Sequence, residues 1–166
     1  MIVLLMGVSG AGKTKVGSAL ALELGWEFAD ADDYHPVANV EKMRMGIPLT
    51  DADREPWLES LRALIMAWTA AGKNAVLACS ALKKRYRDQL RASPNVIFVL
   101  LRGSRSRIAE QLKNRRGHYF DPKLLESQFA DLEEPELPAD SFVVQVQADP
   151  RELVSEIKIK LGQQKN

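Results

Sequence analysis

The sequence predicts an α/β fold, a three-layer αβα sandwich built around a central parallel sheet. Three observations carry this expectation. Five short apolar runs rich in β-branched residues recur along the chain, and helical patterns separate them. The runs are nearly continuous in apolarity instead of alternating, as strands covered on both faces are. The first of them ends abruptly in a glycine-rich turn that leads into a helix.

Taken in order, the first strand is Ile2–Met6, followed by GVSGAGKT at positions 7–14. The helix Lys13–Leu24 closes at Gly25, a C-cap residue type. The second strand is Trp26–Ala29. Asp30–Asp53 breaks the alternation and reads as an irregular insertion. Pro56–Ala71 reads as a helix opened by proline in its first turn and stopped by Gly72. Strands Ala75–Cys79, Val96–Leu101 and Phe142–Val146 follow. Helices Lys83–Arg91, Arg105–Arg116, Pro122–Leu132 and Pro150–Leu161 complete the set, and the polar tail after Leu161 is expected to fray. The insertion and the basic helix pair around Gly117 both belong over the carboxyl edge of the sheet, where open α/β folds bind ligands.

At 166 residues the chain reads as one domain, 1–166, long enough to bury a core without disulfides or metals. A net charge of +1 argues against general affinity for nucleic acid or acidic membrane. The single cysteine, Cys79, excludes an internal disulfide and a multi-cysteine zinc site, and fits a reducing cytoplasm. No apolar run approaches the length of a membrane span. The expected location is therefore the cytoplasm, with neither nucleic acid nor membrane as partner.

The turn after the first strand matches G-x-x-x-x-G-K-[ST] through Gly7, Gly12, Lys13 and Thr14. Glycines let successive N–H groups across Gly7, Val8, Ser9, Gly10, Ala11 and Gly12 converge on phosphates. Lys13 adds a point charge, Thr14 a hydroxyl for Mg²⁺, and the following helix its positive end. The alternative is a glycine-rich turn that binds nothing, which the strand before and the helix after make rare. A GTPase would need D-x-x-G and N-K-x-D, and neither string occurs. A motor ATPase would end a core strand with an acid, yet Ala75–Cys79 runs into Ser80 with no acid before Asp88. Acid follows the second strand instead, in FADADDYH. Asp30 and Asp32 are two apart at a strand end and can share one side. A kinase acting on a hydroxyl needs one carboxylate to orient and deprotonate it and acid to help hold hydrated Mg²⁺. Either aspartate could take either task. The alternative is a solvated acidic turn.

The segment DADDYHPVANVEKMRMGIPLTDADREPWL resembles the substrate region of gluconate kinases. CSALKKRYRDQLR, LKNRRGHYF and QFADLEEP downstream resemble the same family, and with the phosphate loop the similarity covers nearly the whole chain. The resemblance implies ATP-dependent phosphorylation of D-gluconate at its 6-hydroxyl. It also implies a P-loop kinase fold of adenylate-kinase-like or shikimate-kinase-like form with a helical lid, Mg²⁺ dependence, and a homodimer. The substrate-binding insertion then spans about 30–55 and the lid about 113–125.

An open-chain polyol with a terminal carboxylate needs hydrogen bonds along its length and cations at one end. Asp32, His35 and Asn39 offer polar contacts, while Arg54, Lys83 and Arg87 offer carboxylate binding. Asp32 is expected as the catalytic base, with Asp30 and Thr14 nearer the metal. In the lid, Arg115 and Arg116 are expected to neutralise phosphate charge, Arg115 more strongly, and His118 to contact substrate or lid. The bland alternative for this segment is a basic surface turn. Lys42, Lys84, Arg85 and Arg91 read as a solvated helix face, Trp57 and Trp68 as core, and Cys79 as a small buried strand residue. The competing functions are a P-loop kinase for another small hydroxylated acid, such as shikimate, and a nucleotide-dependent regulatory switch.

Overall fold

The computed structural model describes residues 1–113, 122–133, 141–146 and 149–163. Their order is β1 (Ile2–Met6), α1 (Lys13–Leu24), β2 (Glu27–Asp30), a 3-10 turn (Ala31–Tyr34), α2 (Val37–Arg44), α3 (Asp51–Ala70), β3 (Ala75–Ala78), α4 (Lys84–Leu90), β4 (Val96–Arg102), α5 (Arg105–Lys113), α6 (Pro122–Asp131), β5 (Phe142–Gln145) and α7 (Pro150–Gln163). The strands form one sheet in the order β2-β3-β1-β4-β5, every pair parallel. Parallel strands need crossovers, and helices supply them on both faces.

Strand alternation sorts the core into two layers. Val3 and Leu5 of β1 point into one cluster with Val16, Leu20, Val154 and Ile157 from α1 and α7. Ile2, Leu4 and Met6 point into the other, with Trp57, Leu61, Ile65 and Trp68 of α3. α1 lies so close to the sheet that a side chain at one of its positions would force its neighbours aside. A Cβ at Gly17 would stand 2.8 Å from a Phe28 ring carbon and 3.2 Å from Leu5 Cδ1.

Register places the loops. Leu5 pairs with Ala78, and Ala78 with Asp30, so these three residues form one row across β1, β3 and β2. Gly7, Ser80 and Asp32 each lie two residues beyond that row, and Gly7 N–H donates to Ser80 O at 3.2 Å.

Three expectations need correction. The stretch between Asp30 and Asp53 is not irregular: it holds the 3-10 turn, α2 and the start of α3. Helix α3 begins at Asp51, not Pro56, because Thr50 and Asp53 form a capping box. Thr50 Oγ1 accepts from Asp53 N–H at 3.2 Å, and Asp53 Oδ2 from Thr50 N–H at 2.8 Å. Nor is β2 covered on both faces; as an edge strand it is partly exposed along its length. Among the described residues no helix is long and apolar enough to cross a membrane.

Candidate active site

The loop after β1 has the backbone its glycines predict. Gly7, Gly10 and Gly12 have φ of 142°, 83° and 89°, values that L side chains rarely adopt. A Cβ at Gly7 would also lie 2.7 Å from Leu101 O. Gly12 starts α1 with no side-chain cap, so the amides of the first turn carry the helix's positive end without a capping side chain. Lys13 Nζ curls over the loop and donates to Gly7 O at 3.0 Å and Val8 O at 3.1 Å.

Thr14 and Asp30 meet. The Thr14 hydroxyl donates to Asp30 Oδ2 at 2.6 Å, and Asp30 Oδ1 accepts from Asp32 N–H at 3.0 Å. Asp30 therefore caps the 3-10 turn and fixes the backbone of Asp32 while its other oxygen reaches the loop. Asp32 itself is exposed. A hydroxyl beside a carboxylate at the mouth of a phosphate loop suits Mg²⁺, which keeps several waters and takes one or two protein oxygens plus phosphates. No group of three or more His, Cys, Asp or Glu side chains that could cage a metal occurs among the described residues.

From Asp30 the chain of contacts continues to a cationic cluster. Ala31 O accepts from Trp57 Nε1 at 2.7 Å, and the Trp57 ring stacks on His35 with centroids 4.5 Å apart and planes 9° from parallel. Burial, and then the charge of Arg54, push His35 down to about 4, so it is neutral at pH 7. Asn39 is buried; its Nδ2 donates to Asp53 O at 2.7 Å and lies 3.4 Å from His35 Nδ1.

Arg54 and Lys83 come together around Tyr86. Arg54 Nη1 donates to the Tyr86 hydroxyl at 3.2 Å, and both cations lie over its ring, at 5.7 and 5.9 Å from the centroid. Tyr86 donates in turn to Asp51, which also accepts from Lys83 at 3.1 Å. The Tyr86 hydroxyl and then Lys83 hold the Asp51 carboxyl below its ordinary range, and Asp51 raises Lys83. Asp131 pairs with Lys83 at 3.5 Å and with Arg54 at 3.9 Å.

Arg87 does something different. It is buried, and its Nη1 donates to Ala81 O at 3.1 Å and Leu82 O at 2.7 Å. Ala81 has φ of 43°, so this arginine braces a strained turn beneath Lys83. Arg85, read from sequence as a solvated helix face, is exposed, and it also pairs with Asp51 at 2.8 Å and lies over Tyr86. Tyr86, Asp51 and Asp131 were not singled out from sequence either. All three stand inside segments that carry the family resemblance, but the contact of Tyr86 with Asp51, 35 residues away, is made only by the fold. Arg115, Arg116 and His118 lie outside the described residues.

Comparison with known proteins places the chain in a family. A family model described as shikimate kinase matches residues 9–161. The chain is 45% identical over 174 aligned positions to a probable gluconokinase of Xenopus tropicalis, covering 95% of this chain and 92% of that protein. It is 51% identical over 131 positions to a gluconokinase of Gluconobacter oxydans, covering 78% and 74%. The solved structure of a gluconokinase from Sinorhizobium meliloti superposes with a TM-score of 0.88 at 40% identity, over 97% of this chain and 91% of that one. A phosphate loop joined through Thr14 to Asp30, on a parallel sheet shared with these relatives, leads to one conclusion: the chain belongs to the gluconokinase family of shikimate-kinase-like P-loop kinases.

Proposed function

We propose that this enzyme transfers the terminal phosphoryl group of ATP to the 6-hydroxyl of D-gluconate, giving 6-phospho-D-gluconate and ADP. The observation that carries the reading is that contacts join Thr14 of the phosphate loop to Asp30, and Ala31 to Trp57 and His35, while Arg54, three residues before Trp57, meets Tyr86. It supports a phosphate-binding end and a carboxylate-binding end on the same edge of the sheet, as a substrate with a hydroxyl at one end and a carboxylate at the other requires.

In this reading the loop amides and Lys13 hold the ATP phosphates. Thr14 and Asp30 would hold hydrated Mg²⁺, which supplies positive charge against the phosphate oxygens. Asp32 orients the attacking hydroxyl and takes its proton. Arg54 and Lys83 bind the carboxylate by charge-assisted hydrogen bonds, with His35 and Asn39 along the polyol. Arg87 sets the turn that aims Lys83. Arg115 and Arg116 are assigned to charge neutralisation in the transition state, and His118 to substrate or lid. The same reading takes the enzyme as a homodimer of the cytoplasm, its region 30–55 handling substrate and 113–125 closing over it.

The test is a coupled assay of ADP release with gluconate, shikimate or no acceptor. Release that depends on gluconate is expected. Equal release with shikimate supports the other small-acid kinase, and release without any acceptor the nucleotide switch.

A further inference from the structure

Helix α6 touches both ends of the site. The Ser9 amide belongs to the loop that the reading above assigns to phosphate, yet an oxygen already stands on it: Gln128 Oε1 accepts from Ser9 N–H at 2.5 Å, across 119 residues of sequence. One turn further along, Asp131 presents a carboxylate to Lys83 and Arg54 at 3.5 and 3.9 Å. Just beyond the helix, Glu133 accepts from Lys84 N–H, and its own N–H donates to Leu82 O at 3.1 Å. The helix is seated by buried Leu125 and by Phe129, over which Arg105 lies at 4.9 Å.

The chemistry of these contacts matches what each end awaits. An uncharged oxygen acceptor occupies an amide that suits a phosphate oxygen. A carboxylate occupies cations that suit a carboxylate. We propose that α6 is an internal pseudo-ligand, with Gln128 on the nucleotide side and Asp131 on the acceptor side, and that it couples the two binding events. Its second half rests on the assignment of Arg54 and Lys83 to the substrate carboxylate. A ligand arriving at either end must displace one of the two side chains. With that contact gone the helix is held less firmly at the other end, so the second ligand binds more tightly.

The experiment measures binding of the nonhydrolysable ATP analogue AMPPNP with Mg²⁺ to the full chain by calorimetry, with and without gluconate. The comparison covers the wild type, Gln128→Met, Gln128→Glu and Asp131→Asn, each checked for an intact thermal transition. One neutral hydrogen bond sets the scale, about 2- to 10-fold. Gluconate should tighten AMPPNP binding by the wild type within that range. Gln128→Met should bind AMPPNP more tightly than the wild type without gluconate, and gluconate should then add little. Gln128→Glu, which places a carboxylate on the same amide, should bind it more weakly, so a misfolded Met variant leaves a second reading of the contact. Asp131→Asn should shrink the effect of gluconate. Unchanged or weaker AMPPNP binding by a folded Gln128→Met, or wild-type binding by Gln128→Glu, overturns the pseudo-ligand. An undiminished gluconate effect in Asp131→Asn overturns the coupling. If gluconate neither binds nor reacts while Gln128→Met still tightens AMPPNP, the proposed substrate fails and the nucleotide half of the pseudo-ligand stands.

Discussion

Replacing Arg54 with alanine removes a guanidinium that is mostly covered, its side chain only 18% exposed, and that touches Tyr86, Asp51 and Asp131. Lys83 and Arg85 remain to balance Asp51, so the cluster does not lose all its positive charge. What the variant loses is one charge-assisted hydrogen bond to a bound carboxylate, about 1.5–3 kcal/mol. At 1.4 kcal/mol per tenfold, kcat/KM for gluconate should fall roughly 10- to 150-fold. Sorbitol, which carries a hydroxymethyl group in place of the carboxylate, should start as a very poor substrate and change little. Initial rates from coupled ADP release, with both acceptors and both proteins, give the four values needed. A second readout is independent of turnover. Arg54 helps push His35 down, so in Arg54→Ala the imidazole should titrate above its wild-type position near 4 in an NMR titration. Equal losses for gluconate and sorbitol would refute the carboxylate assignment. A fall in kcat/KM with no movement of His35 would mean that Arg54 acts from elsewhere than its place in this structure.

Asp32→Asn should lower kcat by roughly 10² to 10⁴ with little change in gluconate KM, the range for loss of a general base; if Asp30→Asn does this and Asp32→Asn does not, the two roles are exchanged. Gly17→Ala should lower stability by roughly 1–2 kcal/mol in urea denaturation. Overpacking against Phe28 and Leu5 outweighs the gain in helix propensity, and a more stable variant would contradict the close packing. The folded state holds His35 near 4 while the unfolded chain protonates it near 6.5, so the unfolded state binds the extra proton between those values. Stability should therefore decline as pH falls from about 6.5 to 4, and His35→Gln should flatten that part of the Tm–pH curve. Identical slopes for the two proteins would count against it.

Strands and the loop after β1 were legible because their causes are local. Buried parallel strands need continuous apolar residues, and a phosphate loop needs glycines at fixed spacing. The start of α3 was misread because Pro56 is a strong local signal, while the capping box at Thr50 uses Asp in place of the commoner Glu or Gln. Helix α2 was missed because it has hardly any apolar stripe, Asn39 being its one buried residue. In the site, Lys13, Thr14, Asp30, Arg54 and Lys83 could be picked out by residue type and motif. Tyr86 and Asp51, 35 residues apart, and Gln128 and Ser9, 119 apart, could not. Only the fold brings these pairs together. Arg87 shows the converse: a cation chosen for its charge is turned inward, where backbone carbonyls of a strained turn use it.

The row Leu5–Ala78–Asp30 makes strand register a carrier of chemical information. Neighbouring strands lie about 4.8 Å apart, so β1 and β2, separated by β3, stand about 10 Å apart. Thr14, at the start of α1, nevertheless meets Asp30 of β2 at 2.6 Å. A slip of one residue between β2 and β3 would carry Asp30 about 3.3 Å along its strand and turn its carboxylate to the opposite face. Either displacement alone separates it from Thr14. Packing of Phe28 and Val76, far from any phosphate, therefore sets the alignment of the catalytic edge, since these core residues lock the slip. Substitutions there can impair turnover while the protein remains folded, soluble and complete in every catalytic side chain.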